Sequence, residues 1–289
     1  MTFADRVVAG TQTLGPLCVG IDPHPGRIPD LFGGDTPDGI TAWADAMINA
    51  AVGRVAVVKP QVGLFERHGP GGMAALQHVC ETARKAGLIV IADAKRGDIG
   101  STAEGYAAAY LEPDAPFEAD AITVNPYMGL DTLEPFIQRA EMHDKGVVVL
   151  ARTSNPGSAD FQSKSLDGAP LYVRVVDALK PTIERLRGSS EWSSLMLVVG
   201  ATGPDEARTL RRNAPHALFL IPGYGSQGGG AADAVAGFVG GAGGVVNASR
   251  SVTFPAAAQT AETLADWQAA IIEAINAAQS DLKAAASET

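Results

Sequence analysis

Ile89-Val90-Ile91-Ala92-Asp93-Ala94-Lys95-Arg96-Gly97-Asp98-Ile99-Gly100 is the stretch on which the reading of this chain turns. An apolar run with β-branched residues ends in two acids and a lysine spaced D-x-K-x-x-D. Successive side chains of a strand point to opposite faces, so Asp93 and Lys95 share one face and Ala94 takes the other. An anion and a cation at the mouth of a buried strand cost desolvation, which points to a task beyond packing. A salt bridge that merely closes the strand end is the plainer alternative. Asp98 lies past the strand, near the start of the next helix, where it either extends the charged array or caps.

Similar runs recur on both sides. Strands are expected at 17–22, 54–59, 88–95, 121–125, 147–152, 195–200, 217–222 and 244–248. Helical patterns fall near 38–52, 72–86, 102–111, 130–143, 170–187, 204–213 and 231–239, and an Ala-rich helix is expected near 258–281. Strand–helix alternation with near-continuous apolar strands predicts a parallel sheet covered by helices. Eight units predict a closed (β/α)8 TIM barrel, because an open sheet would leave exposed edges; a doubly wound sheet is the alternative. The residues before Leu17 are expected to form an extra N-terminal helix, with Phe3, Val7 and Val8 facing inward to close the barrel's bottom. Asp38 is a candidate cap for the helix near 38–52. Gly87, after Arg84-Lys85-Ala86, is a helix stop. No linker, repeat or charge block marks a second domain, so 1–289 reads as one barrel domain whose end, from about 277, is expected to fray.

Composition narrows the function. A formal net charge of −10 argues against general nucleic-acid binding and against attraction to anionic membranes, while leaving room for a local basic pocket. No apolar run approaches a membrane span, and the first residues lack the apolar core of a signal peptide. Cys18 and Cys80 are isolated; they fit buried free thiols in a reducing cytoplasm rather than a disulfide or zinc site. The histidines show no metal-ligand spacing and read as surface or loop residues.

Polar residues gather at the ends of the expected strands and are scarce at their starts: Asp22, Lys59, Asp93 with Lys95, Asn125 and Arg152. Gly223 follows the seventh strand and Ser249-Arg250 the eighth. Such one-sidedness is what an active site on the C-terminal face of a barrel produces. After the eighth strand, Arg250 offers a fork of donors matched to phosphate oxygens, and the glycine-rich loop 222–230 supplies backbone beside it. That loop lacks the P-loop lysine pattern, so nucleoside-triphosphate hydrolysis is not indicated. The polar segment 152–168 is unusually long for a connection; it is either a lid over a ligand or a tolerated insertion. Without visible metal ligands or a cofactor motif, the array suggests chemistry done by side-chain charge. Acids flanking Lys95 favour its protonated form, hence proton donation over Schiff-base formation.

Taken together, Lys59, the Asp93–Asp98 run and Ser249-Arg250 resemble the orotidine 5′-phosphate decarboxylase family. The segments Thr123–Gly129, Arg152–Asn155 and Ile221–Gly223 resemble its subgroup of longer bacterial sequences. The resemblance runs from Asp22 to Arg250. It implies a homodimeric (β/α)8 barrel of the ribulose-phosphate-binding type that converts orotidine 5′-monophosphate to UMP and CO2 without metal or cofactor. It implies that Lys95 protonates C6 of the pyrimidine, that Asp93 sits beside the substrate carboxylate, and that Lys59 and Asp98 complete the array. Asp98 is then contributed in trans by the partner subunit. Asp22 and Lys59 are expected at ribose hydroxyls, Ser154 at the pyrimidine amide and Arg250 at the phosphate. Asn125, Pro222, Gly223 and Ser249 are also expected to line the substrate site. Gln227 is expected to reach the phosphate from the glycine-rich loop, and Thr102 to touch ribose from the neighbouring subunit.

Three competitors remain. Mg-dependent keto-sugar-phosphate decarboxylases and hexulose-phosphate synthases share the barrel and motif, but place an acidic metal ligand where this chain has Lys59. A Schiff-base aldolase and a non-catalytic nucleotide-binding barrel are the others.

Overall fold

Each of the eight runs folds as a strand: β1 (Leu17–Ile21), β2 (Val57–Pro60), β3 (Ile89–Arg96), β4 (Ala121–Val124), β5 (Gly146–Arg152), β6 (Ser193–Val199), β7 (Ala217–Ile221) and β8 (Gly244–Ala248). The computed structural model describes residues 1–225 and 228–289. The strands pair in parallel with their sequence neighbours, and β8 pairs with β1, so the barrel closes without a free edge. Around it lie α1 (Phe3–Leu14), α2 (Pro37–Ala51), α3 (Gly69–Lys85), α4 (Gly100–Leu111), α5 (Glu134–Met142), α6 (Leu171–Arg185), α7 (Pro204–Asn213) and α8 (Leu264–Ala286).

Period-two alternation divides the core in two. Leu17, Val19, Val58, Val90, Ala92, Val147, Val149, Leu195, Leu197, Phe219 and Val246 point outward and pack with the helices. Cys18, Val57, Ile89, Ile91, Ala121, Val148, Met196, Val198, Leu218, Leu220 and Val245 fill the barrel interior. Phe3, Ala4, Val7 and Val8 of α1 join this inner cluster, so the extra helix plugs the bottom as its sequence predicts. Gly146 makes the plug possible, because a Cβ there would run into the Phe3 ring.

Several expectations need correction. Asp38 does not cap α2; Thr36 does, its hydroxyl accepting the Gly39 N–H at 3.0 Å. Gly87, at φ 82°, does end α3, with Leu88 N–H donating to the Ala83 carbonyl. The helix expected at 231–239 shrinks to Ala231–Ala234, because Gly237, Gly240, Gly241 and Gly243 follow and the last three sit at positive φ. Where fraying is expected, from about 277, the helix continues: α8 runs to Ala286 with Leu282 and Ala286 buried. Gln279 fastens it, accepting the Leu17 N–H at 3.1 Å and donating to the Arg54 carbonyl at 3.0 Å. Alanine is the best helix former, so the composition read as loose is a helix with an i, i+4 apolar stripe.

Polar groups are also not confined to one end of the barrel. At the starts of β4 and β5, Asp120 and Lys145 are buried. Asp120 accepts from Arg6 at 2.6 Å and from Val90 N–H at 2.9 Å, and Lys145 donates to Glu118 at 2.8 Å. These pairs tie α1 and the β-strand starts together. They fall just outside the apolar runs, where sequence reading passes over them.

Candidate active site

The inward rows that fill the barrel continue upward into the polar residues at its C-terminal mouth. Val57 leads to Lys59, Ile91 to Asp93, Ala121 to Thr123, Leu220 to Pro222, and Val245 to Asn247 and then Ser249. Two residues per step keep them on one face. Lys59, Asp93, Pro222, Asn247 and Ser249 meet in a cavity of about 550 Å³ lined also by Asp22, His24, Gln61, Lys95, Ser154, Gly223 and Arg250, and Thr123 reaches it through its bond to Asp93. Gly20 lets β1 and β8 approach here, since a Cβ on it would strike the Ser249 hydroxyl.

Asp93 is the centre of the array. Its Oδ2 accepts from Lys59 Nζ at 2.7 Å and from Gln61 Nε2 at 2.9 Å. Its Oδ1 accepts from Lys95 Nζ at 2.6 Å and from the Thr123 hydroxyl at 3.0 Å. Four donors occupy the four lone-pair directions of a carboxylate, so this group is held in one orientation. Burial alone would push the Asp93 carboxyl up, but the two ammonium groups outweigh it and hold it well below the usual carboxylate range. Burial likewise works against the charge on Lys59, and Asp93 with Asp22 reverses the balance and raises its pKa. Asp22 Oδ1 lies 4.0 Å from Lys59 Nζ. The Lys59 side chain is 4% exposed and that of Lys95 48%, so only the second ammonium presents itself to the cavity mouth. Beneath the array, burial pushes the Cys18 thiol up to about 12, so it stays neutral.

Part of the cavity lining is apolar: Leu64, Leu150, Val198 and Leu220. Two buried oxygens of the lining residues, Asp22 Oδ1 and Asn247 Oδ1, have no hydrogen-bond partner among the described residues. Such acceptors are costly unless a ligand donor meets them. Arg250 stands at the mouth at the start of a four-residue helix, Arg250–Thr253. Gly223, at φ 102°, brings backbone to the same rim.

Not every expected residue joins the cavity. Asn125 is exposed; β4 ends at Val124, and the Asn125 side chain turns back to accept the Tyr127 N–H at 3.0 Å. Arg152 also stays outside, donating to the Thr153 carbonyl at 2.7 Å, to Ser158 and to Glu206, so it braces the long segment 152–168 instead. That segment folds into the short helix Ser158–Phe161 and a two-stranded ribbon, and it contributes Thr153, Ser154 and Asn155 to the cavity wall. Asp98 neither joins the array of its own chain nor caps α4, whose N-cap is Ile99; its carboxylate accepts the Ile99 N–H at 2.8 Å. Thr102 is exposed on α4. Gln227 lies outside the described residues. Conversely, Gln61, Thr123, His24 and Asn247 were passed over. Thr123 and Asn247 could have been found by extending the inward period-two rows of β4 and β8. Gln61 could have been found in the same way, since it follows Lys59 in the β2 row and bridges to Asp93, whereas His24 lies in an irregular segment that carries no periodicity.

A closed parallel barrel with a fixed carboxylate between two ammonium groups, a partly apolar lining and an arginine at the rim defines a class: barrel enzymes acting on small phosphorylated ligands through side-chain charge. The chain belongs to the orotidine 5′-phosphate decarboxylase / HUMPS family, whose sequence model matches residues 15–264. It is 40% identical to the orotidine 5′-phosphate decarboxylase of Rhodopirellula baltica over 288 residues, covering 94% of this chain and 95% of that one. It is 42% identical to the Nocardioides sp. protein of the same name over 232 residues, covering 80% and 84%. Among solved structures, Leishmania donovani OMP decarboxylase superposes with a TM-score of 0.77 at 31% identity, covering 99% of each chain.

Proposed function

We infer that this chain decarboxylates orotidine 5′-monophosphate to UMP and CO2, a step of pyrimidine nucleotide synthesis. The observation that carries the reading is the Lys95 ammonium, anchored 2.6 Å from Asp93 at a cavity lined in part by Leu64, Leu150, Val198 and Leu220. Breaking the bond from C6 to the carboxyl carbon leaves an electron pair on C6 in the ring plane, where the ring carbonyls delocalise it little. An ammonium at that carbon stabilises the developing charge, then gives its proton to C6 and is reprotonated by solvent. That apolar lining lowers the local dielectric and strengthens the attraction. Asp93, kept ionised by its two lysines, faces the substrate carboxylate and disfavours the bound ground state.

The remaining residues divide the nucleotide among them. Asp22 and Asn247 offer their open oxygens to ribose hydroxyls, with Lys59 beside them. Ser154 reads the pyrimidine amide, Arg250 with Ser249 takes the phosphate, and Pro222 and Gly223 shape the rim. Gln227 is a second phosphate ligand on this reading. The four-residue helix at Arg250 is too short for its dipole to matter much, so the guanidinium carries the anion. No metal or cofactor enters the scheme: the Lys59 ammonium stands at the β2 end, where a metal-dependent relative needs an acid.

The reading also calls for a homodimer. Asp98 and Thr102 lie at a surface that exposes Ile99 (62%), Tyr106, Tyr127 (89%), Met128 and Leu130. Apolar surface of this kind is typical of an interface, and a second copy seated there would bring its Asp98 and Thr102 toward the open side of Lys95. Two buried free thiols suit a reducing cytoplasm. The test is orotidylate consumption with CO2 release in one assay, with and without chelator. Stoichiometric CO2 that survives chelation is expected. No CO2 refutes the substrate, and loss on chelation refutes the metal-free scheme.

A further inference from the structure

We propose that Thr123 is a positioning residue that sets the place of the Lys95 ammonium, a role that rests on the decarboxylase reading above. The inference starts from a defect in the sheet. Ala92 pairs with Ile122 and Arg96 with Val124, so β3 spends four residues where β4 spends two. The bulge takes residues 93–95 out of the pairing with β4, although Asp93 still bridges to Gln61 on the other side, and Lys95 adopts φ 47°, a left-handed conformation that is strained for a lysine. A strained, unladdered residue needs other restraints to stay put.

Thr123 supplies two of them with one hydroxyl. It accepts the Lys95 backbone N–H at 2.9 Å and donates its single proton to Asp93 Oδ1 at 3.0 Å. Asp93 Oδ1 is the oxygen that grips Lys95 Nζ. The lysine is therefore tied at both ends of its side chain to one buried oxygen of β4, directly at the backbone and through Asp93 at the ammonium. Thr123 is itself buried, so no water competes for either bond. Its Oγ1 has no role in packing that valine would not fill.

The experiment compares wild type, Thr123→Ser and Thr123→Val as intact chains. Each is titrated with UMP and with a UMP analogue carrying an anionic oxygen at C6, and kcat and KM are measured on orotidylate. The anionic analogue reads the placement of the ammonium without turnover. Thr123→Val is expected to keep UMP affinity and KM within about threefold while losing roughly 10–100-fold in analogue affinity and in kcat, the usual worth of a hydrogen bond to a charged group. Thr123→Ser, which keeps both bonds, is expected within about threefold of wild type throughout. Equal losses of UMP and analogue affinity in Thr123→Val would mean general damage and overturn the proposal. So would an unchanged kcat in Thr123→Val, or a serine variant as impaired as the valine one. Wild type that binds neither nucleotide overturns the decarboxylase reading instead, a result visible before any variant is made.

Discussion

Lys59→Met is the sharpest test of the charged array as a physical object. The substitution removes an ammonium whose Nζ sits 2.7 Å from Asp93 Oδ2, both side chains being under a tenth exposed. Breaking a buried pair by deleting one partner costs about 3–5 kcal/mol, since the other charge is left without compensation. Here Lys95, Thr123 and Gln61 still reach Asp93, which places the cost near the lower figure, about 3 kcal/mol. For a chain of 289 residues that is a fall of about 5 °C in Tm. Thermal or urea unfolding at pH 7 reads it. The pH dependence has a definite sign. Asp93 has a folded pKa held below its unfolded value of about 3.9, so its contribution is complete above about pH 5. It is lost as pH falls toward the depressed folded value, and the gap between wild type and variant should narrow from about pH 4 downward. Adding Asp93→Leu should restore most of the stability, because the pair then disappears whole. A loss under about 1 kcal/mol at pH 7, or one that stays constant down to pH 3, would refute the argument.

Other outcomes follow from the same geometry. Lys95→Ala should lower kcat by more than ~10⁴-fold, because the proton source and the charge at C6 go together, while UMP still binds by calorimetry; substantial residual turnover would remove Lys95 as the acid. Arg250→Ala should lower kcat/KM roughly 100-fold or more through the phosphate, and an unchanged value would move that site elsewhere. Mixed Asp98→Ala and Lys95→Ala chains should regain up to about a quarter of wild-type activity, since random pairing makes half the molecules hybrids with one intact site each; verified hybrids without activity would refute the shared site.

The barrel was legible because its strands are apolar on both faces, and each ends close to where its run ends. The plug of Phe3, Val7 and Val8 was legible for the same reason. Elements without periodicity were not. Thr36 outranked Asp38 as a cap through local backbone geometry, and an Ala-rich end that reads as loose is held by Gln279 reaching β1. Asn125 shows the limit of listing strand-end polar residues. It is in step with Ala121 and Thr123, but the chain leaves the barrel one residue too early and an Asx turn claims its side chain.

The D-x-K-x-x-D spacing alone was enough to predict Asp93 and Lys95 on one face of a strand, because alternation is a property of any extended backbone. It could not say that β3 bulges there, that Lys95 turns left-handed, or that Lys59, Gln61 and Thr123 converge on the same carboxylate from two other strands. Those contacts join residues some 30 positions apart in the chain, and only barrel closure brings them within hydrogen-bonding distance. Local order is written in the nearest few residues. The electrostatics of the site belong to the fold.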